Sequence, residues 1–218
     1  MTIETGITPL LARLFAEELV HLQKRRHPIQ QLPRSVPDLI LAYLNALNRN
    51  RTDDDPDDPT LHRAAMIAAW ECVGATFRPG QPGSKEAIRN SLVDAGIDAG
   101  LLDRMEKLGI VRTVEPAKTQ VRFDLDPLNE YLAALKLLDD NSNSPALWHA
   151  FLATGDGKDG APNSIKGFLT AVRDCCNARS ATLRLPDFLH PGIACRLALV
   201  GRREDARPSA PTSTAAAI

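Results

Sequence analysis

Between Val121 and Leu138 the hydrophobic pattern changes period. Val121, Phe123 and Leu125 alternate with Arg122 and Asp124, which predicts a strand. Directly after it, Leu128, Tyr131, Leu132, Leu135 and Leu138 recur at helical spacing and share one face. Asp126 and Pro127 mark the change. An aspartate offers an oxygen to cap the first free N–H groups, and a proline has φ preset with no N–H to leave unpaired.

Similar patterns occur upstream. Leu10, Leu11, Leu14, Phe15 and Leu22 predict a helix over 8–26, whose apolar face Leu19 and Val20 widen and which His27-Pro28 stops. Ser35, with Asp38 three residues on, predicts a capped helix carrying Leu39, Ile40, Tyr43, Leu44 and Leu47. Residues 51–59, RTDDDPDDP, read as a solvated, mobile acidic loop with no apolar anchor. Asp58-Pro59 opens a helix to about Phe77, with Met66, Trp70 and Val73 at helical spacing. RPGQPG is a loop, Ser84 caps a helix bearing Ile88 and Leu92, and Asp98 caps another with Leu101, Leu102, Met105 and Leu108. Gly109 ends that helix, and Ile110–Val114 and Thr119–Leu125 form a hairpin around the EPAK turn.

After Leu138 the pattern weakens. SNSPALWHAF predicts a short helix, TGDGKDGAPN a loop, Ser164–Cys176 a helix and Pro191–Val200 a last one. The expected architecture is mainly α: a helical bundle, a winged-helix-like module of three helices plus a two-stranded hairpin wing, and a short C-terminal helical extension. The corresponding divisions are an N-terminal helical subdomain (1–52), the winged-helix-like module (59–139), the extension (144–201) and a disordered tail (202–218).

Composition narrows the function. A formal net charge of −1 over 218 residues argues against a nucleic-acid binder working by bulk electrostatics. No apolar run reaches membrane-span length, and MTIETG is not a secretory start, so a cytoplasmic location is expected. Cys72, Cys175, Cys176 and Cys195 are few and irregularly spaced, which reads as buried or half-buried thiols rather than disulfides or a metal site. The five histidines have no partner at zinc-ligand spacing, and Ser35, Ser84 and Ser164 read as helix caps rather than nucleophiles.

The strand-to-helix block resembles the end of the winged-helix module in NACHT-type STAND NTPases, where a last wing strand runs into a helix. Phe123, Asp126, Glu130, Tyr131, Ala133 and Ala134 match that pattern. Leu125 stands where the family has a histidine. By the resemblance that histidine reaches the β-phosphate of ADP and holds the resting state; leucine can donate no hydrogen bond, so the latch is missing or supplied elsewhere. The stretch GIDAGLLDRMEKLGIVRT is similar to the helix leading into the wing. Gly6-Ile7-Thr8-Pro9-Leu10-Leu11 is similar to the turn opening the helical lid, which would make Pro9 an adenine contact in an intact parent. Read locally, Pro9 is a first-turn proline that needs no ligand. The resemblance covers about residues 5–140.

The sequence contains no Gly-x-x-x-x-Gly-Lys-Ser/Thr loop and no acidic strand to hold magnesium. The expectation is a non-catalytic regulatory or interaction module, resembling the part of a NACHT/STAND signalling NTPase after its nucleotide core. No catalytic residue, metal or cofactor is assigned to this chain; ATP or ADP with Mg is implied only for a longer parent. The implied partner is a P-loop domain in cis or in trans, with self-association through the 8–26 face as a further expectation. The alternative is a free-standing winged-helix DNA-binding regulator, but the cations at 98–124 are interleaved with Asp103, Glu106, Glu115 and Asp124 rather than forming a basic stripe.

Overall fold

The structure is a computed structural model. It describes residues 33–52, 55–141, 144–183 and 185–204, together with the helical positions Ala12, Ala16 and Val20, which are exposed. Pro9, the rest of the expected helix over 8–26 and residues 205–218 lie outside the described residues.

The described chain is mainly helical. Helix α1 (Val36–Leu47) begins as the sequence predicts: Ser35 Oγ accepts from Asp38 N–H and donates to the Asp38 carboxylate at 2.7 Å. A short 3-10 turn (Asn48–Asn50) comes next. The acidic loop after it does have an anchor, and the anchor is polar. Buried Asn48 donates from Nδ2 to Pro56 O at 3.0 Å and to Asp58 Oδ1 at 2.9 Å, while Arg104 pairs with Asp55 at 2.9 Å.

Helix α2 (Asp58–Val73) opens at Asp58-Pro59 as expected, capped by Asp57, and stops four residues before Phe77. Phe77 instead adopts φ 57°, an uncommon conformation for a non-glycine residue. Its ring is only 3% exposed, and it lies 5.3 Å from both Phe151 and Phe168. Burial of an aromatic ring among others offsets the local backbone cost.

The loop after α2 contains a strand that the sequence did not reveal. Strand β1 (Gly83–Ser84) pairs antiparallel with β3 (Gln120–Phe123), which also pairs with β2 (Val111–Thr113), giving the order β1-β3-β2. The wing is therefore three-stranded, not a two-stranded hairpin. Two residues hold too little pattern to signal a strand; Gly83 qualifies because it is small, since a Cβ there would sit 2.8 Å from Cys72 Sγ on α2. Ser84 then caps α3 (Lys85–Asp94), as expected. Helix α4 (Leu101–Lys107) begins after Gly100 rather than on an Asp98 cap; Asp98 Oδ1 accepts from Gly100 N–H at 3.0 Å. Gly109, at φ 70°, ends the segment through a reversed turn in which Ile110 N–H donates to Met105 O.

Helix α5 (Asp126–Asn141) is the central element. The sequence marks one apolar face, yet Leu128 through Leu135 are all buried, with Leu137 and Leu138. The reason is that α5 packs on α2 and α1 and also on α7 (Lys166–Arg179). Between them lie α6 (Pro145–Asp156), capped by Ser144, and a 3-10 turn (Asn163–Ile165). That turn corrects the expected Ser164 cap. Ser164 falls inside the turn, donates to Asp159 O at 2.7 Å, and α7 begins after Ile165 with no side-chain cap. The last helix, α8 (Leu189–Glu204), extends three residues into the expected tail.

Candidate functional site

The strand-to-helix junction forms an open cleft of about 370 Å³, lined by Gly80, Arg112, Arg122, Phe123, Asp124, Leu125, Asp126 and Pro127. Strand register explains its charge. Arg112 and Arg122 are direct cross-strand partners, so two like charges stand side by side on the exposed face of the wing. Asp124 offsets one of them: its Oδ1 lies 2.8 Å from Arg112 Nε. Arg122 is exposed and has no hydrogen bond or ion pair among the described residues.

Leu125, at the histidine position of the resemblance, is half-buried and packs against the core. It gives the cleft an apolar side and no donor. Asp126 was expected to cap α5. The helix instead begins at Asp126 itself, and its carboxylate accepts no hydrogen bond among the described residues. Its place in the first turn still suits the partial positive charge of the helix start.

The next turn of α5 holds two consecutive buried polar residues. Asn129 is fully buried, and neither end of its amide has a hydrogen-bond partner. Glu130 is 9% exposed. It has no hydrogen bond or ion pair among the described residues. Burial, reinforced by Asp126 of the same sign, raises its pKa to about 7. Tyr131 lies on the apolar face, as expected, and its hydroxyl donates to Asp174 Oδ2 on α7 at 2.6 Å. Burial and that carboxylate push the phenol well above its usual range. Asp174 is in turn held by Arg173 at 2.8 Å.

The cations that could have met a polyanion are mostly engaged. Arg104 of α4 is tied to Asp55, Arg89 to Asp103 at 2.8 Å, and Lys85 to Glu106 at 3.0 Å and to Thr113 Oγ1 at 2.7 Å. Lys118 of the wing turn lies 3.8 Å from Glu115. Cys72, Cys175 and Cys176 are buried free thiols and Cys195 is exposed. Among the described residues no cluster of three metal-ligating side chains occurs, and no helix is long and apolar enough to cross a membrane.

The junction is bound firmly to the C-terminal helices. Besides the Tyr131–Asp174 bond, Lys158 Nζ donates to Ala75 O at 2.6 Å and lies 5.1 Å over the Phe77 ring, while Arg78 donates to Asp159 O. Phe77 also touches Phe151 of α6 and Phe168 of α7.

Residues 157–200 match the family model described as NACHT C-terminal Helical domain 4. The matched segment starts directly after α6 and takes in the 3-10 turn, α7 and most of α8. It lies outside residues 5–140, which carry the sequence resemblance, and inside the part read only as a helical extension. The match supports a NACHT-type region C-terminal to the nucleotide-binding core, a kind of helical domain that is not itself catalytic. No curated protein and no solved structure matches the chain.

Proposed function

We propose that this chain is a non-catalytic regulatory and interaction module of a NACHT-type signalling protein, whose wing-to-helix cleft faces a P-loop nucleotide-binding domain in cis or in trans. The observation that carries the reading is the fastening of α5 to the matched segment. The helix that bears the family-like residues shares a buried face with α7 of the matched segment, closed by the Tyr131–Asp174 hydrogen bond, and α8 packs on α7. Such a module transmits position rather than chemistry: a shift of the wing relative to the nucleotide core must carry α7 and α8 with it. Nucleotide and Mg belong to the partner domain. With Leu125 in the cleft, this chain contributes an apolar contact and the unpaired Arg122 to that meeting rather than a histidine.

The paired cations on α3, α4 and the wing favour this reading over the DNA-binding one, because a nucleic-acid surface needs cations free to replace counterions. The first test is an immunoblot of the source cells. A band near 23.7 kDa means the P-loop domain is a separate chain, to be recovered by pull-down; a band several-fold larger means it is attached. Binding of that domain should weaken with Arg122→Glu, with the melting temperature little changed because Arg122 is exposed and unpartnered. Unaltered binding would remove the cleft as the docking face. Specific gel-shift binding to DNA with a steep salt slope would overturn the whole reading.

A further inference from the structure

The joint between α5 and α7 contains a group that neither packing nor the docking face requires. The Glu130 carboxyl lies directly on Gly167, in the first turn of α7. A Cβ built on Gly167 would sit 2.7 Å from Glu130 Cδ and 2.8 Å from Oε2, with Oε1 closer still. Only glycine leaves room for the carboxyl there. Yet the carboxyl is nearly buried and receives no hydrogen bond: no backbone N–H of α7 donates to it, and no cation reaches it among the described residues.

The surrounding charges do not rescue an anion. Asp126, one turn back on α5, acts on Glu130 with the same sign. On α7, Lys166 flanks Gly167 but forms no ion pair with Glu130. The loops packed beside this joint bring Arg78, which donates to Asp159 O, and Lys158, which is held by Ala75 O and the Phe77 ring. The start of α7 offers an anion some partial positive charge, but no N–H there donates to the carboxyl, so a carboxylate loses its water without a hydrogen bond in return and the neutral acid fits this place better.

We propose that Glu130 on Gly167 is a proton-controlled latch: protonated, it seats α7 on α5, and ionised, it loosens the first turn of α7 from the wing-bearing helix. The latch acts on the α5–α7 joint on which the proposed function also rests, but its test reads local opening of α7 rather than docking, so the two fail separately. Its direction follows from burial. The seated state has the higher proton affinity, with a pKa near 7 against 4.5 for the free side chain. Seating is therefore complete below the lower value and is lost as pH rises through the higher one. The C-terminal helices would then answer to acidification by closing.

The test is amide hydrogen exchange over residues 166–170 of the full chain from pH 4.5 to 8, corrected for the intrinsic pH dependence of exchange. The opening constant of these amides should rise about a hundredfold across the window, a discount on what the full pKa difference allows. Glu130→Gln, neutral at every pH, should remove the rise. Asp126→Asn keeps the carboxyl and should move the midpoint down, which keeps the idea testable if the glutamine variant folds poorly. An opening constant independent of pH in the native chain, or one that falls as pH rises because α7 amides bind the carboxylate, would overturn the latch. So would a rise that survives Glu130→Gln, or a midpoint unmoved by Asp126→Asn.

Discussion

Gly167→Ala should change sign with its neighbour. Taken alone, the substitution replaces glycine by a residue with less backbone freedom to lose on folding, which at a compatible helical position stabilises by about 0.4–1 kcal/mol. At this position the new methyl carbon would meet the Glu130 carboxyl, at 2.7 Å from Cδ and 2.8 Å from Oε2, distances a real Cβ does not tolerate. Something must move. The α7 backbone is held by Phe168, Leu169 and Val172 in the core, so the carboxyl gives way. Overpacking of this kind costs about 1–3 kcal/mol, which outweighs that gain. The expected net effect at pH 5, where Glu130 is seated and neutral, is a loss of about 1 kcal/mol. In a Glu130→Ala background the obstacle is gone, and the same Gly167→Ala should stabilise by about 0.4–1 kcal/mol. The coupling between the two sites is then about 2 kcal/mol, well above what additive, distant sites show. Urea unfolding of the four proteins of the cycle at pH 5, compared at constant m value, measures it. A Gly167→Ala that stabilises equally in both backgrounds would refute the contact. At pH 8 the loss should shrink, because expelling an ionised, unpartnered carboxylate to water is favourable.

Two other expectations rest on separate contacts. Tyr131→Phe removes a 2.6 Å hydrogen bond to Asp174 and leaves that carboxylate with Arg173 alone, so chemical unfolding should show a loss of about 1.5–3 kcal/mol; a loss within error would mean that the bond does not hold α5 to α7. Thiol titration of the native protein at pH 8 should find Cys195 fast and the other cysteines slow, since burial raises Cys72 to about 11, Cys176 to about 12 and Cys175 upward, and all four should react in denaturant. Rapid labelling of Cys72 in the folded protein would contradict its packing against β1.

Much of the fold was legible where a local signal had a local cause. Ser35 and Ser84 cap helices because a side-chain oxygen three residues ahead of a free N–H needs nothing else. Gly96 and Gly109 stop helices because their positive φ is open to glycine. Where the cause was distant, the reading failed. Ser164 has the same chemistry, but its oxygen is drawn to Asp159 O across a loop. The acidic loop looked unanchored because its anchors, Asn48 and Arg104, are polar and one of them lies far along the chain. Strand β1 was invisible because two residues have no period and its partner β3 comes 36 residues later.

The candidate site divides in the same way. Residue type and short-range order were enough to place the strand-to-helix junction at Asp126-Pro127, the apolar Leu125 in the position of a histidine, and the mixed charge of the wing. Packing between distant segments settled the rest: α5 is enclosed on almost every side, Arg112 and Arg122 stand side by side, Arg104 is committed to Asp55, and Glu130 rests without a partner on Gly167. A side chain's chemistry is written in its identity, but its solvation and its partners depend on which distant segment arrives beside it. For Glu130 that segment is the first turn of α7, whose glycine admits the carboxyl and whose packing excludes the water that would have kept it charged.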